Sequence, residues 1–166
     1  MTMFHQHSSG AWLATSATLL GDVLVGAGVN LWFGATVRGD VARITLGDNV
    51  NVQDNAVIHC DFGVPQVVES GVVVGHGAIL HGKFVGRDTL IGMGSTVLGG
   101  TIIGEECIVA AGSVVPPNKQ FLPRTLLMGV PAKAVRVVTD EELEFTRATN
   151  RRYQALFRQY ARGEVT

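Results

Sequence analysis

From Val85 onward, six consecutive units of six residues each open on an aliphatic side chain: VGRDTL, IGMGST, VLGGTI, IGEECI, VAAGSV and VPPNKQ. Earlier units, such as VGAGVN from Val25, LWFGAT from Leu31, LGDNVN from Leu46 and VQDNAV from Val52, have the same form. A period of six suits neither a 3.6-residue helix nor an alternating amphipathic strand. It suits a solenoid in which every unit is a short strand plus a turn, with the leading aliphatics stacked in columns. The pattern also explains why glycine is abundant, at 21 of 166 residues, while proline stays at five. Glycine follows many of the leading aliphatics, where the chain must turn sharply.

The repeat gives way after Val115. Pro116, Pro117, Pro123 and Pro131 mark Pro116–Val138 as a linker. Thr139-Asp140-Glu141-Glu142 then reads as a capping box, predicting a helix to about Ala161 with Leu143, Asn150, Tyr153, Leu156, Phe157 and Tyr160 on one stripe. The expected organisation is a solenoid with its flanking segments over 1–138 and a terminal helix over 139–166. Arg147, Arg151, Arg152, Arg158 and Arg162 are expected on the solvated or inter-subunit side of that helix.

A net charge of −1 gives no electrostatic footprint for nucleic acid. The N-terminus lacks the features of a signal peptide. The most apolar window, Val23–Val37, is broken by Asn30 and several glycines and is too short for a membrane span. Cys60 and Cys107 form no CxxC and read as free thiols of a reducing compartment. The expectation is a cytoplasmic protein.

His59 and His81 are each second in their hexads, which start 22 residues apart, one 18-residue coil plus a four-residue loop within Cys60–Val67. In phase, they lie one rung of about 4.8 Å apart, close enough to share an ion with Zn–N bonds of about 2.0–2.1 Å. His76 is third in its hexad and points around a corner. One chain cannot easily close a three-histidine site, but a threefold oligomer can, with His76 of one subunit meeting His59 and His81 of the next. Three ligands and an open position form the catalytic zinc pattern.

Beside the histidines stand Arg38-Gly39-Asp40 and Asn51-Val52-Gln53-Asp54. Taken together, these motifs and the hexad repeat resemble the γ-class carbonic anhydrases and their bacterial homologues over roughly residues 10–162. The resemblance implies an all-β solenoid, a left-handed parallel β-helix of triangular section with a C-terminal α-helix packed along it. It implies a homotrimer binding zinc, or Fe(II) or Co(II), through His59, His81 and His76. It implies Gln53 orienting the metal-bound water, Arg38 contacting bicarbonate, and Asp40, Asp54 and Asn51 in structural or interface roles, with Arg38 paired to Asp40 and, across the interface, Asp54. The implied reaction is hydration of CO2 to bicarbonate by water that the metal acidifies to a pKa of about 7. The sequence departs from the family prototype at three points. Val41 replaces a Glu, Asp61 is the only acid in a short loop after His59, and Tyr153 stands in place of an Asn near the metal, where it would hydrogen-bond the metal-bound water or relay a proton as a catalytic residue. Other readings are a hexapeptide acyltransferase using acyl-CoA, a zinc-dependent acyl-CoA thioesterase, and a non-enzymatic scaffold trimer.

Overall fold

A computed structural model describes residues 3–165. The chain winds into a left-handed parallel β-helix of about six turns, capped at each end by an antiparallel strand and flanked by a single helix, α1 (Asp140–Ala161). Three faces repeat. The first carries Asn30–Leu31, Asn51–Val52, Val73–Val74, Leu90–Ile91 and Ile108–Val109, the second Val57–His59, Ile79–Leu80, Thr96–Val97 and Val114–Val115, and the third Gln66–Val68, Phe84–Val85, Ile102–Ile103 and Gln120–Phe121. Two long strands, Thr18–Val25 and Thr36–Leu46, run round the corner between the second and third faces without a break.

The leading aliphatics form the core. On the second face Val37, Ile58, Leu80, Val97 and Val115 stack in register and are fully buried. Each sits where strand alternation turns its side chain inward. Removing one methylene-rich rung, as in Ile91→Ala, is expected to cost about 2–5 kcal/mol, readable as a lower urea midpoint.

The proline-marked stretch is not a linker. Pro116 and Pro117 sit in the turn before Gln120–Phe121, and Pro123 precedes Thr125–Gly129, which joins the first face. Ala132–Val137 then returns antiparallel and closes the end of the solenoid, burying Ala132. These prolines occupy turn positions, where no ladder donor is required. At the other end Phe4–Gln6 pairs antiparallel with Trp12–Ala14.

Coil length varies in a patterned way. Four residues separate successive strands at the first-to-second corner, as in 75–78 and 92–95, and at the third-to-first corner, as in 69–72 and 86–89. The insertions fall at the second-to-third corner. There Cys60–Pro65 forms the expected loop and Val57 pairs with Ile79, 22 residues on. An insertion around Asp40–Arg43 shifts the register between Gly21 and Val23 on the facing strand. The irregular corner is the one that carries Arg38, Asp40, His59, Asp61 and His81.

Helix α1 runs back along the third-to-first corner. Arg147 bonds Asp88 and Glu106, Asn150 donates to the carbonyls of Asn49 and Gly71, and Gln154 donates to Gly28 O. A helical turn rises about 5.4 Å and a coil about 4.8 Å, so each turn of helix meets the next coil. The acceptors are exposed because this corner is built from residues with left-handed backbone, Gly28, Asn49, Gly71, Asp88, Glu106 and Arg124. Glycine or a short polar residue suits that conformation best. The stripe is anchored by Leu143, Asn150 and Phe157, all buried, with Thr146 and Gln154 beside them, while Tyr153, Leu156 and Tyr160 are half-buried.

The capping box forms as expected, with Thr139 Oγ1 accepting from the Glu142 N–H and the Glu142 carboxylate accepting from the Thr139 N–H. Thr139→Ala is expected to lose about 1 kcal/mol of stability, measured by thermal unfolding. The Arg136 guanidinium first, then the Thr139 N–H, pull the Glu142 carboxyl down to about 2. Because its folded value lies below its unfolded one, its contribution is present above the ordinary carboxylate range and fades as the pH falls toward 2.

Candidate metal centre

Arg38, His59 and His81 stand in one outward column on the second face, on three successive coils. His59 Nδ1 and His81 Nε2 face each other at 3.2 Å. Their opposite nitrogens each meet a carboxylate: His59 Nε2 lies 3.1 Å from Asp40, and His81 Nδ1 lies 3.5 Å from Asp61. Asp61 is folded over Gly99, where a Cβ would come within 2.3 Å of its carboxylate. Arg38 pairs with Asp40, and this guanidinium above all holds the Asp40 carboxyl below its ordinary range.

His76 lies at the other edge of the face, in the first-to-second turn. Asp54 contacts its Nδ1 at 3.0 Å, and the Tyr153 hydroxyl meets its Nε2 at 2.9 Å. The Asp54 carboxylate accepts from Nδ1–H, which leaves the Nε2 lone pair to accept from the tyrosine. Burial first, and the nearby Asp54 charge second, raise the Tyr153 pKa, so it keeps its proton. Within one chain Asp54 thus serves His76, and Arg38 pairs with Asp40 alone.

Behind His76 runs a polar ladder. Trp32 Nε1 and Asn51 Nδ2 both donate to Asn30 Oδ1, Gln53 Nε2 donates to Asn51 Oδ1, and Gln53 Oε1 accepts from the His76 N–H. Asn30 and Asn51 are fully buried and Gln53 nearly so. Within the protomer Asn51 is interior and holds the ladder together, a structural position. Helix α1 packs over its strand. The readings from sequence missed Asn30, although it is sixth in its hexad as Asn51 is in the next coil.

Among the described residues no three His, Cys, Asp or Glu side chains of one chain converge on a metal position. The donor chemistry nevertheless fits an ion shared between subunits. Two ligands at 2.0–2.1 Å from a tetrahedral ion stand about 3.3 Å apart, close to the observed His59–His81 spacing. Each histidine also carries a carboxylate on one ring nitrogen, the arrangement that fixes the tautomer and raises ligand basicity. Cys60 is a buried core thiol whose Sγ faces Ala42 O at 3.5 Å. Burial pushes its pKa up, as it does that of Cys107.

A model of the bacterial transferase hexapeptide (six repeats) matches residues 82–117. The carnitine operon protein CaiE of Escherichia coli K12 is 45% identical over 146 residues, covering 88% of this chain and 74% of that protein. The chain belongs to the CaiE-type, γ-carbonic-anhydrase-like hexapeptide-repeat family. Two solved structures agree with this CaiE-type fold. One is a hexapeptide transferase family protein from Anaplasma phagocytophilum, 34% identical, TM-score 0.80, covering 89% of this chain and 91% of that one. The other is a Bacillus cereus protein provisionally called an acetyltransferase, 37% identical, TM-score 0.80, covering 90% of each chain. No helix among the described residues is long and apolar enough to cross a membrane.

The carboxylates on the histidine rings can be tested by substitution. Asp54→Asn leaves an amide that cannot enforce the Nδ1–H tautomer of His76. For an ion held by His76, affinity is expected to fall about 10- to 100-fold, measured by competition with a chromogenic chelator.

Proposed function

We propose that this CaiE-type chain is a metal-dependent, carbonic-anhydrase-like enzyme that interconverts CO2 and bicarbonate at a site shared between subunits of a homotrimer. His59 and His81 of one subunit and His76 of the partner subunit would hold the ion. The observation that carries the reading is the carboxylate found on one ring nitrogen of each of the three histidines, with His59 Nδ1 facing His81 Nε2. Zinc, or Fe(II) or Co(II) in the same imidazole set, supplies a Lewis acid that activates water near neutral pH.

The chain's own residues do the rest. Arg38, half-exposed beside His59 and held by Asp40, offers a fixed cation to the bicarbonate product. Gln53 grips the His76 backbone and so sets where that ring stands. Tyr153 keeps a protonated hydroxyl that meets His76 Nε2 in the single chain; with that nitrogen ligated, the hydroxyl would be released to donate to a bicarbonate oxygen. The test is stopped-flow CO2 hydration with protein loaded with zinc or, anaerobically, Fe(II). Turnover that requires the metal supports the reading. Full occupancy without turnover would overturn it and leave a metal-binding scaffold or an acyl-group enzyme.

A further inference from the structure

A groove of about 310 Å³ opens between α1 and the first face, and one end of it is formed by His76 and Tyr153. Its floor is Leu90, Gly92, Ile108 and Ala110, outward-facing residues of two successive coils, and Phe145 of α1 forms a wall. Gly92 and Ala110 keep that floor low. A Cβ at Gly92 would strike the backbone of the next coil at 2.4 Å, so the position cannot be filled cheaply. The volume lies within the range of small-molecule sites, which are mostly apolar with a few placed polar groups.

Among its polar lining residues, which include Gln53, His76, Thr149 and Tyr153, the permanent charge is Arg152. The other helix arginines are committed: Arg147 to Asp88 and Glu106, Arg151 to Glu144, Arg162 to Glu164, and Arg158 to the Gln154 carbonyl. Arg152 makes no ion pair or hydrogen bond among the described residues, and it lines the groove. A guanidinium without a carboxylate at the rim of an apolar groove is complementary to a ligand that brings one.

We infer that the groove binds a small monocarboxylate with an apolar body, the body lying on Leu90, Ile108 and Phe145 and the carboxylate on Arg152. Binding needs one chain and no metal. Only the step from ligand to substrate rests on the shared-site reading above. If both hold, the enzyme takes acids or acyl groups larger than CO2 into the space beside His76.

The experiment is calorimetric titration of the full chain with hexanoate and octanoate, and with 1-octanol as the uncharged control. It is repeated on Arg152→Gln, Phe145→Ala and metal-free His81→Ala, with the oligomeric state followed by light scattering. Octanoate is expected to bind at least tenfold more tightly than 1-octanol, to weaken at least tenfold in Arg152→Gln and several-fold in Phe145→Ala, and to bind His81→Ala as it binds wild type. The last result separates the groove from the metal, because a carboxylate bound to the ion would be lost in His81→Ala. Three results would overturn the inference: no preference for the acid over the alcohol, unchanged binding in Arg152→Gln, or dissociation of the oligomer in that variant, which would assign Arg152 to a second copy of the chain.

Discussion

Replacing His81 by alanine is expected to abolish metal binding and CO2 hydration while leaving the solenoid folded. Two imidazole nitrogens 3.2 Å apart make the half-site within one chain, and the substitution removes one of them. A single remaining imidazole from this subunit, plus one from the partner subunit, forms no closed set of three. Catalysis should fall to the uncatalysed rate, a loss of several orders of magnitude on the scale of metal-activated water. The fold should survive because His81 is partly exposed at the irregular corner, while Leu80, the residue that fills the core, is untouched. Metal content by atomic emission and the unfolding midpoint, read on the same sample, check both halves. Retained metal would contradict the assignment of His81, and loss of fold would show that the ring has a packing role that its exposure conceals.

The largest effect on stability is expected at Phe157. Its side chain is fully buried, 5.5 Å from the Trp12 ring and 6.4 Å from Phe4, with the Arg158 guanidinium 4.7 Å from its ring centroid. It pins the last turns of α1 to the first coil and to the N-terminal strand. Phe157→Ala is expected to cost about 3–5 kcal/mol, lowering the melting temperature by roughly 10 °C. Trp12 fluorescence should report the loss. A further consequence follows from the spacing of the stripe. Tyr153 lies one turn before Phe157, so a loosened helix end also slackens the Tyr153–His76 contact.

The hexad pattern made the solenoid legible because one aliphatic per six residues is visible without any contact information. The phase of His59 and His81 followed from the same count, since a loop of four residues leaves the column intact. The cap at Thr139 was legible because a capping box is a local device. Other features depend on tertiary context. Pro116, Pro117 and Pro123 look like breakers in sequence, yet they occupy the turns between strands that still pair. The insertion around Asp40–Arg43 left no break in hydrophobicity, because Val41 and Ala42 pack against the core. The Asp54–His76 and Asn30–Asn51 pairs join residues about one coil apart, and Gln53 extends the second. Each such residue looks like an ordinary polar surface position until the fold brings its partner beside it.

The most direct measurement mixes two inactive proteins. His76→Ala keeps His59 and His81, and His81→Ala keeps His76. Neither alone forms a complete site. When the two are unfolded together and refolded, mixed trimers place an intact His76 beside an intact His59–His81 pair in a fraction of interfaces. The account predicts that metal binding and CO2 hydration return in the mixture and in neither parent. A mixture as empty and inactive as its parents, despite mixed trimers shown by mass spectrometry, would contradict a site shared between subunits.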